Sequence, residues 1–217
     1  MKSASFTKSY DGRTVLDLPA LEWPEGQITA VLGPNGSGKS TLARVLAGIE
    51  SDDRRTRLLP ACRVGFLPQK SYAFRMSTAR NIALNGSDAA RQARLMAALG
   101  LDALRDQRAK KLSGGETSKM ALCRLLMADY DLLILDEPTA AMDMESTLAA
   151  EKLLQELCRE SGCAMILITH SISQARRIAD RALVLHQGKL VEQGAAGSVL
   201  YSPAQEQTRR FLDFYGL

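Results

Sequence analysis

One stretch constrains this chain more than any other: Gly33-Pro34-Asn35-Gly36-Ser37-Gly38-Lys39-Ser40-Thr41. It follows an apolar run, Ile28 to Leu32, and opens a helix-like run, Thr41 to Ala47. A strand, a glycine-rich loop and a helix in that order satisfy the pattern G-x-x-x-x-G-K-[ST]. Gly33, Gly36 and Gly38 let the backbone curl so that successive N–H groups point inward at an anion. A helix starting near Lys39 adds the positive end of its dipole. Lys39 supplies a mobile ammonium for the outer phosphates, and the Ser40 hydroxyl is placed to coordinate Mg²⁺. The expectation is nucleotide binding rather than a merely structural turn.

Length and composition narrow the frame. A chain of 217 residues with 46 % apolar residues fits a single domain with a normal core, with room for a subdomain. Its net charge of +4 is a weak bias, and the basic clusters at Arg54-Arg55-x-Arg57 and Arg105 to Lys111 read as solvated faces. No basic block is interleaved with aromatics, so nucleic acid is not an expected partner. Cys62, Cys123, Cys158 and Cys163 form no CxxC pair, and only two histidines are present, which argues against a cysteine–histidine metal site. Buried reduced thiols are the expectation for Cys123, Cys158 and Cys163. The N-terminus lacks a signal-peptide stretch, and no run reaches the ~20 apolar residues of a membrane span. A cytoplasmic chain is expected, reaching a membrane only through a partner.

Strands and helices alternate along the chain. Residues 4–22 carry a turn at Asp11-Gly12 and read as two antiparallel strands. Gln27 to Leu32, Val64 to Leu67, Asp131 to Asp136 and Ala164 to Thr169 read as buried strands, and Ala182 to Glu192 as a hairpin. Between Ser77 and Leu112 the pattern is helical only. Helices are expected at Glu116 to Ala128, Glu145 to Glu160, Ser171 to Ala179 and, behind Ser202-Pro203, at Ala204 to Phe214. This predicts an α/β fold with a mainly parallel sheet, an N-terminal antiparallel β subdomain and an inserted α-helical subdomain. The single domain of residues 1–217 divides into a core at about 1–69 and 121–217 and an insertion at about 70–120. Little follows the last helix, so no regulatory C-terminal domain is expected.

Asp136 and Glu137 end a strand where parallel sheets bind ligands. Asp136 can hold Mg²⁺ opposite Ser40, and Glu137 can orient or deprotonate an attacking water. Leu112-Ser113-Gly114-Gly115-Glu116 places a serine and two glycines at a helix start, a second anion site. Two separate phosphate cradles in one chain suggest that two copies share nucleotides.

With these residues in order, the chain resembles the ATP-binding cassette family over nearly its whole length. Gly33 to Thr41 is similar to its Walker A loop, Leu112 to Glu116 to its LSGGQ signature with Glu in the last place, and Asp136-Glu137 to its Walker B acid and catalytic carboxylate. The resemblance implies that Tyr10 stacks on adenine, that Gln69 is the Q-loop glutamine, that Ala140 to Asp143 is the D-loop and that His170 is the switch histidine. Glu137, His170 and Gln69 would then serve hydrolysis. Ser40, Gln69 and Asp136 would hold Mg²⁺. Thr117-Ser118-Lys119 departs from the usual Gln and Arg after the signature, although Lys119 keeps the positive charge.

The resemblance further implies that two cassettes close head to tail on two ATP molecules, with Ser113, Gly114, Gly115 and Asp143 of one facing the nucleotide of the other. Separate permease subunits, and a solute-binding protein, would complete a bacterial importer of a small solute, with an oxyanion such as tungstate as one candidate. The rival is a soluble cassette ATPase acting in DNA maintenance or translation. Its usual marks, long coiled-coil insertions or tandem cassettes, are missing from this sequence.

Overall fold

The apolar runs become neighbouring strands of one sheet. A computed structural model describes residues 1–215. Ile28–Leu32 (β3), Leu132–Asp136 (β5) and Ala164–Ile168 (β6) are buried at every position. Such strands need cover on both faces, which parallel crossovers with helices supply. With Val64–Leu67 (β4) and Arg181–His186 (β7) they form a parallel block in the order β7-β3-β6-β5-β4.

Lys189–Ala195 (β8) turns back antiparallel on β7. Arg13–Leu18 (β2) joins β8 in parallel through Asp17 opposite Lys189, and Phe6–Tyr10 (β1) pairs antiparallel with β2. The N-terminal antiparallel pair therefore extends the central sheet, which counts eight strands among the described residues.

Residues alternate across the strands to feed separate cores. Leu133, Leu135, Met165 and Leu167 face the helices Ala89–Ala98 (α3), Gly114–Leu125 (α4) and Met144–Ser161 (α5). Leu132, Ile134, Ile166 and Ile168 face Lys39–Leu46 (α1) together with Leu16, Leu18 and Trp23. Ala30, Leu32 and Val184 pack on Ile172–Ile178 (α6), Ala196–Tyr201 (α7) and Glu206–Tyr215 (α8).

The helical stretch contains Thr78–Ile82 (α2), α3 and three short 3-10 turns. Its strand content is one isolated bridge, Ser77 to Arg108. Two helix starts shift by two residues, and one helix is new. Helix α4 begins at Gly114, two residues early, because Ser113 and Glu116 form a reciprocal capping box. Helix α7 was not expected at all. Helix α8 begins at Glu206, because the Glu192 carboxylate accepts the Ala204 and Gln205 N–H groups at 2.8 and 3.2 Å and holds that turn to β8.

All four cysteines are free, and Cys123, Cys158 and Cys163 are buried. Burial pushes the Cys123 thiol up to about 12. Among the described residues no helix is long and apolar enough to cross a membrane.

Candidate functional site

The loop between β3 and α1 is held by glycine geometry. Gly33, Gly36 and Gly38 take φ of 145°, 76° and 101°. At Gly33 a Cβ would lie 2.1 Å from the Leu185 carbonyl oxygen on β7, so the loop packs too closely for any side chain there. The Lys39 ammonium folds onto the loop, donating to the Gly33 and Pro34 carbonyls at 2.8 and 3.0 Å. Helices α2, α3, α4, α5 and α6 are each capped by a Ser or Asp side chain, but α1 has no side-chain cap. Its first N–H groups are left to an external acceptor.

Those donors face a hollow of about 290 Å³. Asn35, Gly36, Gly38, Lys39, Ser40 and Thr41 line one side, and Gln69, Asp136, Glu137 and His170 line the other. The volume is at the lower end of small-molecule sites, room for a polyphosphate tail.

Asp136 is buried at the end of β5, and its Oδ1 has no hydrogen-bond partner. Burial raises its carboxyl pKa, while the Ser40 hydroxyl, Arg44 and Lys39 pull it back. An ionisable, unsatisfied oxygen beside a serine hydroxyl is the donor chemistry of a hard cation site.

Glu137 follows with φ +53°, a left-handed backbone uncommon for a residue with a side chain. Its N–H donates to Ile168 at 2.9 Å. Burial and the neighbouring Asp136 raise its pKa, and Lys39 opposes them. His170 Nε2 lies 2.9 Å from Glu137 Oε1, at ion-pair distance but without hydrogen-bond alignment. Burial first, and Lys39 second, lower the His170 pKa, while Asp136 opposes them.

Other expected residues stand elsewhere. Tyr10 ends β1 and is 39 % exposed, outside the lining of the hollow. Its hydroxyl donates to Glu50, which also pairs with Arg44 of α1 at 2.6 Å. Ser113, Gly114 and Gly115 do not line the hollow either. Ser113 Oγ accepts the Glu116 N–H at 3.2 Å, and Glu116 Oε2 accepts the Ser113 N–H at 2.7 Å. A Cβ at Gly115 would come within 2.8 Å of the Ala141 carbonyl oxygen, so the helix start rests on the Ala140–Asp143 loop of its own chain. Asp143 caps α5 by accepting the Ser146 N–H at 2.7 Å.

Sequence reasoning missed Val15 and Ile168, which line the hollow. Val15 had one legible signal. Leu16 and Leu18 point into the core, which leaves an apolar side chain facing out of β2. It also missed the buried polar residues Thr139, Glu151 and Gln174.

Residues 16–140, more than half of the chain, match the ABC transporter family. Over 204 residues the chain is 36 % identical to the tungstate uptake system ATP-binding protein TupC of Peptoclostridium acidaminophilum, covering 87 % of this chain and 95 % of that one. It is 33 % identical over 242 residues to the phosphate import ATP-binding protein PstB 2 of Natronomonas pharaonis, covering 97 % and 85 %. The dimeric structure of MJ0796, a bacterial ABC transporter cassette, matches with a TM-score of 0.78 and 22 % identity over 90 % of this chain and 98 % of that one, which supports the fold. A glycine-rich loop, an uncapped helix and an acid pair, met in that order by a family match across them, make this chain a member of the ATP-binding cassette family, an ATPase that binds ATP.

Proposed function

We propose that the chain is the ATP-hydrolysing subunit of a membrane importer, and that two cassettes close head to tail on two ATP molecules. One observation carries the reading: the Lys39 hollow and the Ser113 helix start are separate half-sites in one chain. A head-to-tail pair would bring them together, and the cassette structure named above is described as dimeric.

In this reading the N–H groups of the Gly33–Thr41 loop and the Lys39 ammonium hold the phosphates, preorganised against charge developing on the transferred group. Lys39 leaves its loop carbonyls to do so. The residues fit Mg²⁺, which Ser40, Asp136 and Gln69 would hold; when bound it neutralises charge on the phosphate oxygens. Glu137 orients the attacking water and accepts its proton, and His170 orients Glu137. Gln69 reports on the outer phosphate, and Tyr10 offers its exposed ring to the adenine. Ser113, Gly114, Gly115 and Asp143 of the second copy close the site. The Ser113 hydroxyl uses one lone pair to accept the Glu116 N–H and keeps its proton to donate.

Permease docking draws support from a second hollow of about 390 Å³ between β4 and the helical segment. Phe66, Leu67, Phe74, Leu84 and Tyr130 line it, with Arg124 at its edge, and Phe74 and Leu84 are exposed. Pro68 lines this hollow and Gln69 lines the phosphate hollow, so adjacent residues face both. The insertion at about 70–120 thus meets the permease, and the core at about 1–69 and 121–217 holds ATP. The chain then sits on the cytoplasmic face of the membrane through its permease, served by a solute-binding protein. For the solute we favour an oxyanion, since the two relatives named above serve tungstate uptake and phosphate import.

The test is Glu137→Gln. The variant is expected to bind ATP, lose nearly all turnover and run as a dimer in size-exclusion chromatography with ATP. Near-normal hydrolysis, or a monomer at saturating ATP, contradicts the reading.

A further inference from the structure

Four polar side chains outside the catalytic set meet where the turn after Glu137, α5 and α6 pack together. Glu151 on α5 is 3 % exposed and is the hub. Its carboxylate accepts a two-pronged contact from Arg177, with Nε at 2.7 Å and Nη2 at 2.6 Å. Gln174, 2 % exposed, donates from Nε2 to Glu151 Oε1 at 3.2 Å and to Thr139 Oγ1 at 2.9 Å.

The two ends of this network flank the proposed hydrolytic pair. Thr139 lies two residues after Glu137, whose left-handed backbone is uncommon and needs support from its neighbours. Gln174 lies four residues after His170, and its own N–H donates to the α6 cap Ser171 at 3.1 Å. One buried carboxylate therefore ties together the segments that bring Glu137 and His170 to 2.9 Å. Stability alone is a poor reason for such a network, because well-packed apolar residues commonly serve a fold as well as a buried ion pair does.

We infer that Thr139, Gln174 and Glu151, with Arg177, are positioning residues that set the Glu137–His170 geometry for hydrolysis. The inference rests on the proposed roles of Glu137 and His170. None of these four side chains lines the hollow around Lys39. Loosening them leaves ATP binding intact and slows turnover, since misplacing a reacting group by about 1 Å can cost on the order of 100-fold in rate.

The test uses the full chain with Thr139→Val, Thr139→Ser, Gln174→Leu and Glu137→Gln, scored for kcat, KM, affinity for a fluorescent ATP analogue and Tm. Thr139→Val and Gln174→Leu are expected to lose about 10- to 100-fold in kcat, with KM and affinity nearly unchanged. Thr139→Ser keeps the acceptor hydroxyl and is expected to restore most of the rate. Full kcat in Thr139→Val with only a lowered Tm overturns the inference, as does a rate loss that Thr139→Ser fails to rescue. Should Gln174→Leu not fold, the Val and Ser pair at 139 decides alone. Normal turnover by Glu137→Gln would overturn the reading of the site itself. An inactive Glu137→Gln beside a fully active Thr139→Val would overturn only the positioning role.

Discussion

Asp136, buried, and its neighbour Glu137, partly buried, cost this fold stability at neutral pH. Both carboxyls have pKa values raised above their unfolded values, chiefly by burial. Between the ordinary and the raised values the folded chain holds more protons than the unfolded one, so stability falls as pH rises through that window. The penalty is complete above it. Asp136→Asn is therefore expected to raise Tm at pH 7.5. The gain should shrink toward zero by pH 4, as the wild-type carboxyl protonates. Thermal melts at the two pH values check this, and an equal gain at both would contradict it. The residues of this site were legible to unequal degrees. Lys39 and Ser40 sit in a contiguous motif whose spacing is its geometry. Thr139, Glu151 and Gln174 look like ordinary surface residues of a helix or turn. Their partners lie 35 and 23 positions away, a distance that local patterns do not encode.

The β7–β8 hairpin braces the phosphate loop. Gly188 donates its N–H to Ser37 at 3.1 Å and accepts the Asp17 N–H at 2.8 Å. With φ +78° and a would-be Cβ 2.1 Å from the Val15 carbonyl oxygen, position 188 admits no side chain without moving the hairpin off the loop. Gly188→Ala is expected to destabilise the fold by about 2 kcal/mol or more and to weaken ATP-analogue binding. Gly197→Ala in α7, where a Cβ meets nothing within 4 Å, is the matched control. It should be neutral or stabilising by about 0.5–1 kcal/mol. Equal effects in denaturant titrations would show that the hairpin does not brace the loop. Most elements were readable because all-apolar runs of five or six residues bounded by turns have few alternatives. The six residues of α7 were not, since Gly194-Ala-Ala-Gly197 reads as a turn and a helix so short has little pattern. Helix α8 starts late for a tertiary reason, the Glu192 carboxylate on β8. The signature glycines discount a helix locally, and the Ser113–Glu116 capping box reinstates it.

At the scale of the molecule, the helical segment is joined to the sheet through a shared core and along one seam. Leu95, Met96 and Leu99 of α3 pack in the same cluster as Leu133 and Leu135. Arg94 pairs with Glu160 at 2.9 Å, and Arg91 reaches Asp129 and the Leu126 carbonyl, both at 2.7 Å. Such peripheral pairs are weak individually, so the shared apolar core carries most of the attachment. Alternating helical and strand periods made this architecture legible, but the eight-stranded sheet was not. Its continuity rests on a single β2–β8 pairing at Asp17 and Lys189, far apart in sequence. What the molecule does as a whole depends on one claim, that the hollow around Lys39 lacks a wall that Ser113 of a second copy supplies. The specific ATPase activity of the purified chain, measured across a dilution series at saturating ATP, tests that directly. The account predicts a rate per protomer that rises with protein concentration and levels off as pairs saturate. A rate per protomer that stays constant down to concentrations where the chain sediments as a monomer would contradict it.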